Sequence, residues 1–189
     1  MSDNLFCDLS TLRHRGRNVI IGRTVRIRYP ELVSIGDNVI IDDFSYISTA
    51  LEIADCVHIA SGAKFIGGRG STIRIASFST LAPNVVLAAG SDDYVAGIAS
   101  PLVPLAYKGN VDIGKIVIGR HCIVGANSTV LPNVRFQDGA AVGAQSLVKG
   151  DLDAWSLYGG VPARFLKKRN QTEILRLEAA YLEDVHNGQ

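Results

Sequence analysis

The sequence predicts an all-β fold: a parallel solenoid whose coils have three flat sides. Three observations predict it. Large apolar residues recur every six positions, small residues follow them at fixed offsets, and Gly, Asn and Asp mark many of the joins. Ile35, Ile41, Ile47, Ile53, Ile59 and Phe65 form one unbroken train. Ile118, Val124, Val130, Phe136, Val142 and Val148 form another, and Ile75, Leu81 and Leu87 a shorter one between them. A period of six matches neither a helix, at about 3.6 residues per turn, nor the alternation of a half-buried strand. It matches a coil of three hexapeptides, each a short strand and a turn, so that each large residue stacks inward on its equivalent one coil away. The residues four places after it (Val39, Ser45, Val57, Ala63, Val85, Cys122, Ser128, Val134, Ala140, Ser146) are small or branched because the corner leaves little room. Gly36-Asp37-Asn38 and Gly125-Ala126-Asn127 supply turn residues that tolerate left-handed backbone.

Taken in order, residues 1–18 read as an irregular cap and 19–169 as the solenoid. Two interruptions break the period. Between Phe65 and Ile75 the step is ten, with Gly67-Gly68-Arg69-Gly70 inside it, which predicts a small corner bulge. Between Leu87 and Ile118 a long loop intervenes, at about 90–115 within the bounds 88–115. It contains Ser91-Asp92-Asp93-Tyr94, Pro101 and Pro104. A long excursion from an economical repeat is a functional candidate. Residues 170–189 predict a short α-helix, with Asn170 as N-cap, Glu173 three places on, and an apolar stripe of Ile174, Leu177, Tyr181 and Val185. That helix is expected to cover an open end of the solenoid or to pack on a neighbouring subunit.

The chain's 189 residues suffice for one core and a formal net charge of +1 gives no global reason to expect nucleic acid. No apolar run is long enough for a membrane span. Residues 1–15 show no leader signature, so a cytoplasmic location is expected. Three cysteines, Cys7, Cys56 and Cys122, without a C-x-x-C pair, point to reduced thiols rather than a disulfide framework or a zinc site. No metal is expected.

The run Ile118-Gly119-Arg120-His121-Cys122-Ile123-Val124-Gly125-Ala126-Asn127, the segment Ala141-Val142-Gly143-Ala144-Gln145-Ser146, and above all Gly159-Gly160-Val161-Pro162-Ala163-Arg164-Phe165-Leu166-Lys167-Lys168 resemble the hexapeptide-repeat acetyltransferases. The branch is that of galactoside, nodulation-factor and colanic-acid acetyltransferases. The resemblance implies a left-handed coil, acetyl-CoA as cosubstrate, and a homotrimer with each active site between two subunits. It implies that the backbone N–H of Ala126 donates to the thioester oxygen, the kind of donor acyl transfer needs. It also implies that Gly125, Ala126, Gly143 and Ala144 pass the pantetheine arm. Lys149, Arg164, Lys167 and Lys168 would face the phosphates. The dense run of Arg164, Lys167, Lys168 and Arg169 suits phosphate in its own right.

One departure bears on the acceptor. The family's general base is a histidine in a Gly-Ser-His-Asp-Tyr sequence, and this chain reads Gly90-Ser91-Asp92-Asp93-Tyr94. A carboxylate with a pKa of about 3.9 is a poor base for an alcohol. An amine, partly unprotonated near neutrality, needs orientation and a proton sink instead. The first reading is therefore N-acetylation of an amino sugar, and the resemblance implies that this sugar is nucleotide-linked and destined for surface polysaccharide, O-antigen or capsule. O-acetylation of a saccharide hydroxyl is the second and a non-catalytic scaffold the third. Asp92 and Asp93, with the Ala126 N–H, are the catalytic candidates. Asn84, Ser91, Tyr94 and His58 are the acceptor candidates. A γ-type carbonic anhydrase would need three converging histidines, a spacing that His58 and His121 lack.

Overall fold

The computed structural model describes residues 4–100 and 102–187. Residues 1–3, 101 and 188–189, which the sequence assigns to the cap, the loop and the helix, lie outside the described residues. The chain winds into a left-handed parallel β-helix of about seven turns. Its first side stacks Val19–Ile21, Val39–Ile41, His58–Ile59, Thr80–Leu81, Ile123–Val124, Ala141–Val142 and Ser156–Gly159. The second begins with Arg26–Ile27 and ends with Leu147–Val148; the third begins with His14–Arg15 and ends with Arg135–Phe136. Strands Tyr46–Ile53 and Lys64–Ile75 run around the corner between the second and third sides and belong to both.

The six-residue trains are the three interior columns. Ile41, Ile59, Leu81, Val124 and Val142 pair coil to coil on the first side. Ile47, Phe65, Leu87, Val130 and Val148 do so on the second, and Ile35, Ile53, Ile75, Ile118 and Phe136 on the third. None of these is more than 4% exposed. Each aliphatic or aromatic buried in this way contributes about 1.5–3 kcal/mol against solvent. The small residues at the fourth offset are buried as well, Val39, Ala63, Cys122 and Ser128 completely. Burial pushes the Cys122 thiol up to about 12, so it stays protonated and inert, a core residue in chemistry as well as position.

The irregular insertions share one corner. The segment around Pro30–Leu32, the bulge at Gly67–Gly70 and the long loop all leave the solenoid between its second and third sides, the bulge and the loop on adjacent coils and the Pro30–Leu32 segment two coils before the bulge. The loop is not featureless. Gly90–Ser91 pairs antiparallel with Asp112–Ile113 across its base, and Leu105–Tyr107 forms a turn of 3-10 helix.

Two expectations about the ends are revised. The first coil already starts inside the segment assigned to the cap, because His14–Arg15 pairs in parallel with Val33–Ile35. The helix Gln171–Asn187 has the expected cap, Asn170 Oδ1 accepting from the Glu173 N–H at 3.1 Å. It covers no open end. Strand Arg164–Lys168 folds back antiparallel on Ser156–Gly159 and covers that edge instead. The helix then runs up the corner between the third and first sides. Seventeen residues span about 25 Å at ~1.5 Å each, about five strand spacings of ~4.8 Å. The contacts agree: Arg169 binds the His121 and Gly139 carbonyls at one end, and Val185 lies beside Asn38 at the other.

This docking explains an unexpected feature of that corner. Cys56, Phe78, His121 and Trp155 all have positive φ, a costly conformation for bulky side chains. Phe78 stacks on His121 at 5.3 Å and meets the Tyr181 ring edge-on, and Glu178 accepts from both Arg120 and His121. The helix gives these residues something to pack against.

Candidate active site

The predicted site residues fall at three places. Asp92 and Ser91 lie at the base of the long loop, on the corner between the second and third sides. They line a concavity of ≈ 330 Å³ together with Arg28, Tyr29, Ser48, Lys108 and Asp112. Asp92 Oδ1 meets Lys108 Nζ at 2.6 Å, and the lysine side chain is only 14% exposed while the aspartate is 40% exposed. The carboxylate thus faces open space with a half-sequestered cation behind it. Ser91 Oγ donates to the Asp92 carbonyl at 3.2 Å. Arg28, Tyr29 and Lys108 were not singled out in the sequence. The available signal was the eight-residue step from Ile27 to Ile35, an insertion at the same corner as the loop.

Asp93 has a different role from its neighbour. Its Oδ1 accepts from the Val95 and Ala96 N–H groups at 2.8 and 3.1 Å, and its Oδ2 from Asn110 N–H at 2.9 Å. These bonds, Asn110 first, hold its pKa below the usual aspartate range. The Asp93 carboxylate thus ties the two arms of the loop together. Because its folded pKa is depressed, this contribution is present above the ordinary aspartate value of about 3.9 and is lost as pH falls through the folded value. Hydrogen exchange should show Asp93→Ala deprotecting Val95, Ala96 and Asn110 at neutral pH, with the solenoid strands unchanged.

Ala126 and Asn84 lie on another corner, between the first and second sides. The turns there stack, with Asn127 N–H donating to Pro83 O and Gln145 N–H to Ala126 O. The Ala126 N–H itself donates to nothing among the described residues, and Ala126 is half-buried. An unpaired amide at a turn is free to donate to a bound ligand. The two glycines beside it differ. A Cβ at Gly125 would stand 2.4 Å from Ala144 N, so close stacking demands glycine there. A Cβ at Gly143 would meet nothing nearer than Tyr158 O at 3.7 Å. Nothing in the chain requires Gly143 to lack a side chain, which leaves its surface clear for a ligand.

The basic cluster is partly engaged. Lys168 Nζ donates to Ser156 Oγ at 2.8 Å and lies over the Phe165 ring, and Arg169 is bound to two carbonyls. Lys168 therefore helps to secure the final hairpin. Arg164 and Lys167 are exposed on that hairpin, and Lys149 is exposed beyond the end of the second side. His58 points outward from the first side and meets Asp42 at 2.9 Å, away from both corners. Tyr94, 92% exposed, stands at the loop's outer end.

Asp92 and Ala126 are not brought together within one chain. A flat side separates their corners, roughly 15–20 Å at about 3.3 Å per residue.

No family model matches the chain. An Escherichia coli protein, dTDP-4-amino-4,6-dideoxy-D-glucose acyltransferase, is 35% identical over 171 residues, covering 88% of this chain and 86% of that one. The chain belongs to the hexapeptide-repeat sugar acyltransferases. A crystal structure of AntD, an N-acyltransferase from Bacillus cereus, agrees with a TM-score of 0.89 and 35% identity, covering 97% of this chain and 99% of that one. It holds dTDP and 3-hydroxybutyryl-CoA. A serine-to-cysteine mutant of AntD, 36% identical with a TM-score of 0.88 and covering 96% and 98% of the two chains, holds dTDP-4-amino-4,6-dideoxyglucose and coenzyme A. One of these relatives is named for a dTDP-linked amino sugar, and the other is seen holding one, in line with the expected amine acceptor.

Proposed function

We propose that this chain transfers an acyl group, acetyl in the simplest case, from acyl-coenzyme A to the amine of a nucleotide-linked amino sugar. One observation carries the reading: Asp92 opens onto the loop-base concavity where the family's base would stand, backed by Lys108. The amine nitrogen attacks the thioester carbonyl, the new C–N bond forms, and the Ala126 N–H receives the developing oxyanion. Asp92 accepts a hydrogen bond from the amine and so aims its lone pair. The C–S bond then breaks, and the proton lost by nitrogen ends on the departing thiolate, directly or by way of Asp92. This route needs no strong base before attack. The setting we propose for this transfer is the cytoplasm.

The separation of Asp92 from Ala126 supports a site shared by two chains in a homotrimer. So does the apolar surface left uncovered on one chain. Tyr94, Val95 and Leu102 are more than 90% exposed on the loop, and Ile20, Ile40 and Ile123 line the outer face of the first side. Light scattering at micromolar concentration should give three times the chain mass; a monomer would remove the shared site.

The cofactor reading places the CoA phosphates at Arg164 and Lys167, with Lys149. Arg164→Ala combined with Lys167→Ala should weaken acyl-CoA binding by about 1–3 kcal/mol, more at low salt than at high. Calorimetry with unchanged affinity would make the hairpin only a solvated edge.

A further inference from the structure

We infer that the first-coil end of the solenoid docks on an anionic lipid surface. The near-neutral charge of the whole chain conceals a local concentration. Arg13, Arg15, Arg17, Arg23, Arg26 and Arg28 fall within sixteen residues, and no Asp or Glu lies between Asp8 and Glu31. All six are exposed.

Their placement is specific to this end. The pairing of His14 with Ser34 and of Arg15 with Ile35 puts Arg13 and Arg15 in the columns that hold Val33 and Ile35 one coil further on. Those two residues are completely buried. Among the described residues no coil lies above Arg13 and Arg15, and the Arg15 guanidinium donates to Val19 O at 2.9 Å. With His14, Ser10, Leu12 and one carboxylate, Asp8, they line a concavity of ≈ 710 Å³ at this end. Asp37 is paired with Arg17, and Asp43 accepts from the Thr24 N–H beside Arg23. Arg13, Arg15 and Arg26 make no ion pair among the described residues, whereas Arg28 belongs to the lining of the loop-base concavity.

The second observation is apolar. Leu9 closes the core at this end and is 6% exposed. Leu5 and Phe6 take no part in that closure and are 61% and 57% exposed. The Leu5 N–H donates to Arg23 O at 2.8 Å, which fixes this pair beside the arginine-bearing turn. Exposed Leu and Phe among arginines are the composition of an interfacial anchor: the cations meet lipid phosphates and the apolar tips enter the headgroup layer. A nucleic acid would use the charge but gain little from Leu5. Protection of the edge coil against stacking on another edge would account for the arginines and leave the apolar pair unexplained.

The test is sedimentation of the full chain with vesicles of phosphatidylcholine alone and of phosphatidylcholine mixed with phosphatidylglycerol, at low and high salt. We expect binding to the mixed vesicles only, released by salt. Each arginine near an anionic surface raises partitioning roughly five-fold, so Arg13→Gln with Arg26→Gln should lower it roughly twenty-fold or more. Phe6→Ser, at an exposed position, should lower it several-fold with acyl transfer unchanged. No sedimentation with mixed vesicles at low salt would overturn the inference and leave edge protection. Binding to heparin as tight as to vesicles, with Phe6→Ser without effect on either, would overturn it in favour of a general polyanion site.

Discussion

Replacing Ala126 by proline is expected to lower kcat about 10²- to 10³-fold, the usual cost of deleting one oxyanion donor, while the fold persists. The chain itself supplies the control. Leu81 pairs with Val124 across adjacent coils, so Pro83 stands where Ala126 stands one coil on, and it is followed by Asn84 as Ala126 is by Asn127. Asn84 and Asn127 have the same left-handed φ, 60° and 57°. This turn therefore accepts proline without rearrangement. The Ala126 carbonyl would keep its bond from Gln145 N–H, and only the free N–H would be lost. Thermal unfolding should be little changed and KM for acyl-CoA nearly so. A variant with unchanged kcat would place the oxyanion elsewhere.

Asp92→Asn is expected to lower kcat/KM on the order of 10²-fold with an amine acceptor, the low end for a positioned acid–base group. Asparagine keeps the size and one acceptor oxygen but loses the charge that holds Lys108 at 2.6 Å and attracts the ammonium form of the acceptor. Two further variants separate orientation from base catalysis. Lys108→Met should cost activity while leaving the loop's Asp93 bonds in place, because it frees Asp92 from its anchor. Asp92→His restores the family's usual base and should admit weak transfer to a hydroxyl acceptor. If Asp92→Asn and Lys108→Met both retain full kcat/KM, the amine reacts without help from this corner.

The solenoid was legible in the sequence because each interior column repeats a large side chain at an invariant spacing, and a chain that must bury one residue in six on each flat side has few other solutions. The loop was legible as a break in that spacing. What stayed hidden was local. Asp92 and Asp93 are adjacent carboxylates with the same chemistry, and only the fold shows that three backbone N–H groups engage one of them and a lysine sixteen residues away the other. The basic run near the end likewise looks uniform in sequence, yet Lys168 is bonded to Ser156 and Arg169 to two backbone carbonyls, while Arg164 and Lys167 stand exposed on the same hairpin. The path of the helix was hidden because its apolar stripe does not say what it covers. Phe78, His121 and Trp155, bulky residues at turns expected to hold Gly or Asn, were the sign that something packs on that corner.

The central claim is that an amine on a nucleotide-linked sugar is the acceptor. Thiol release from acetyl-CoA, followed with a dTDP-linked 4-amino sugar and with its 4-hydroxy counterpart, tests it most directly. The account predicts turnover of the amine alone, with an apparent pKa in the pH–rate profile that moves when acceptors of different amine basicity are used. Turnover of the hydroxyl sugar at a matching rate, with an apparent pKa fixed by the protein, would contradict it.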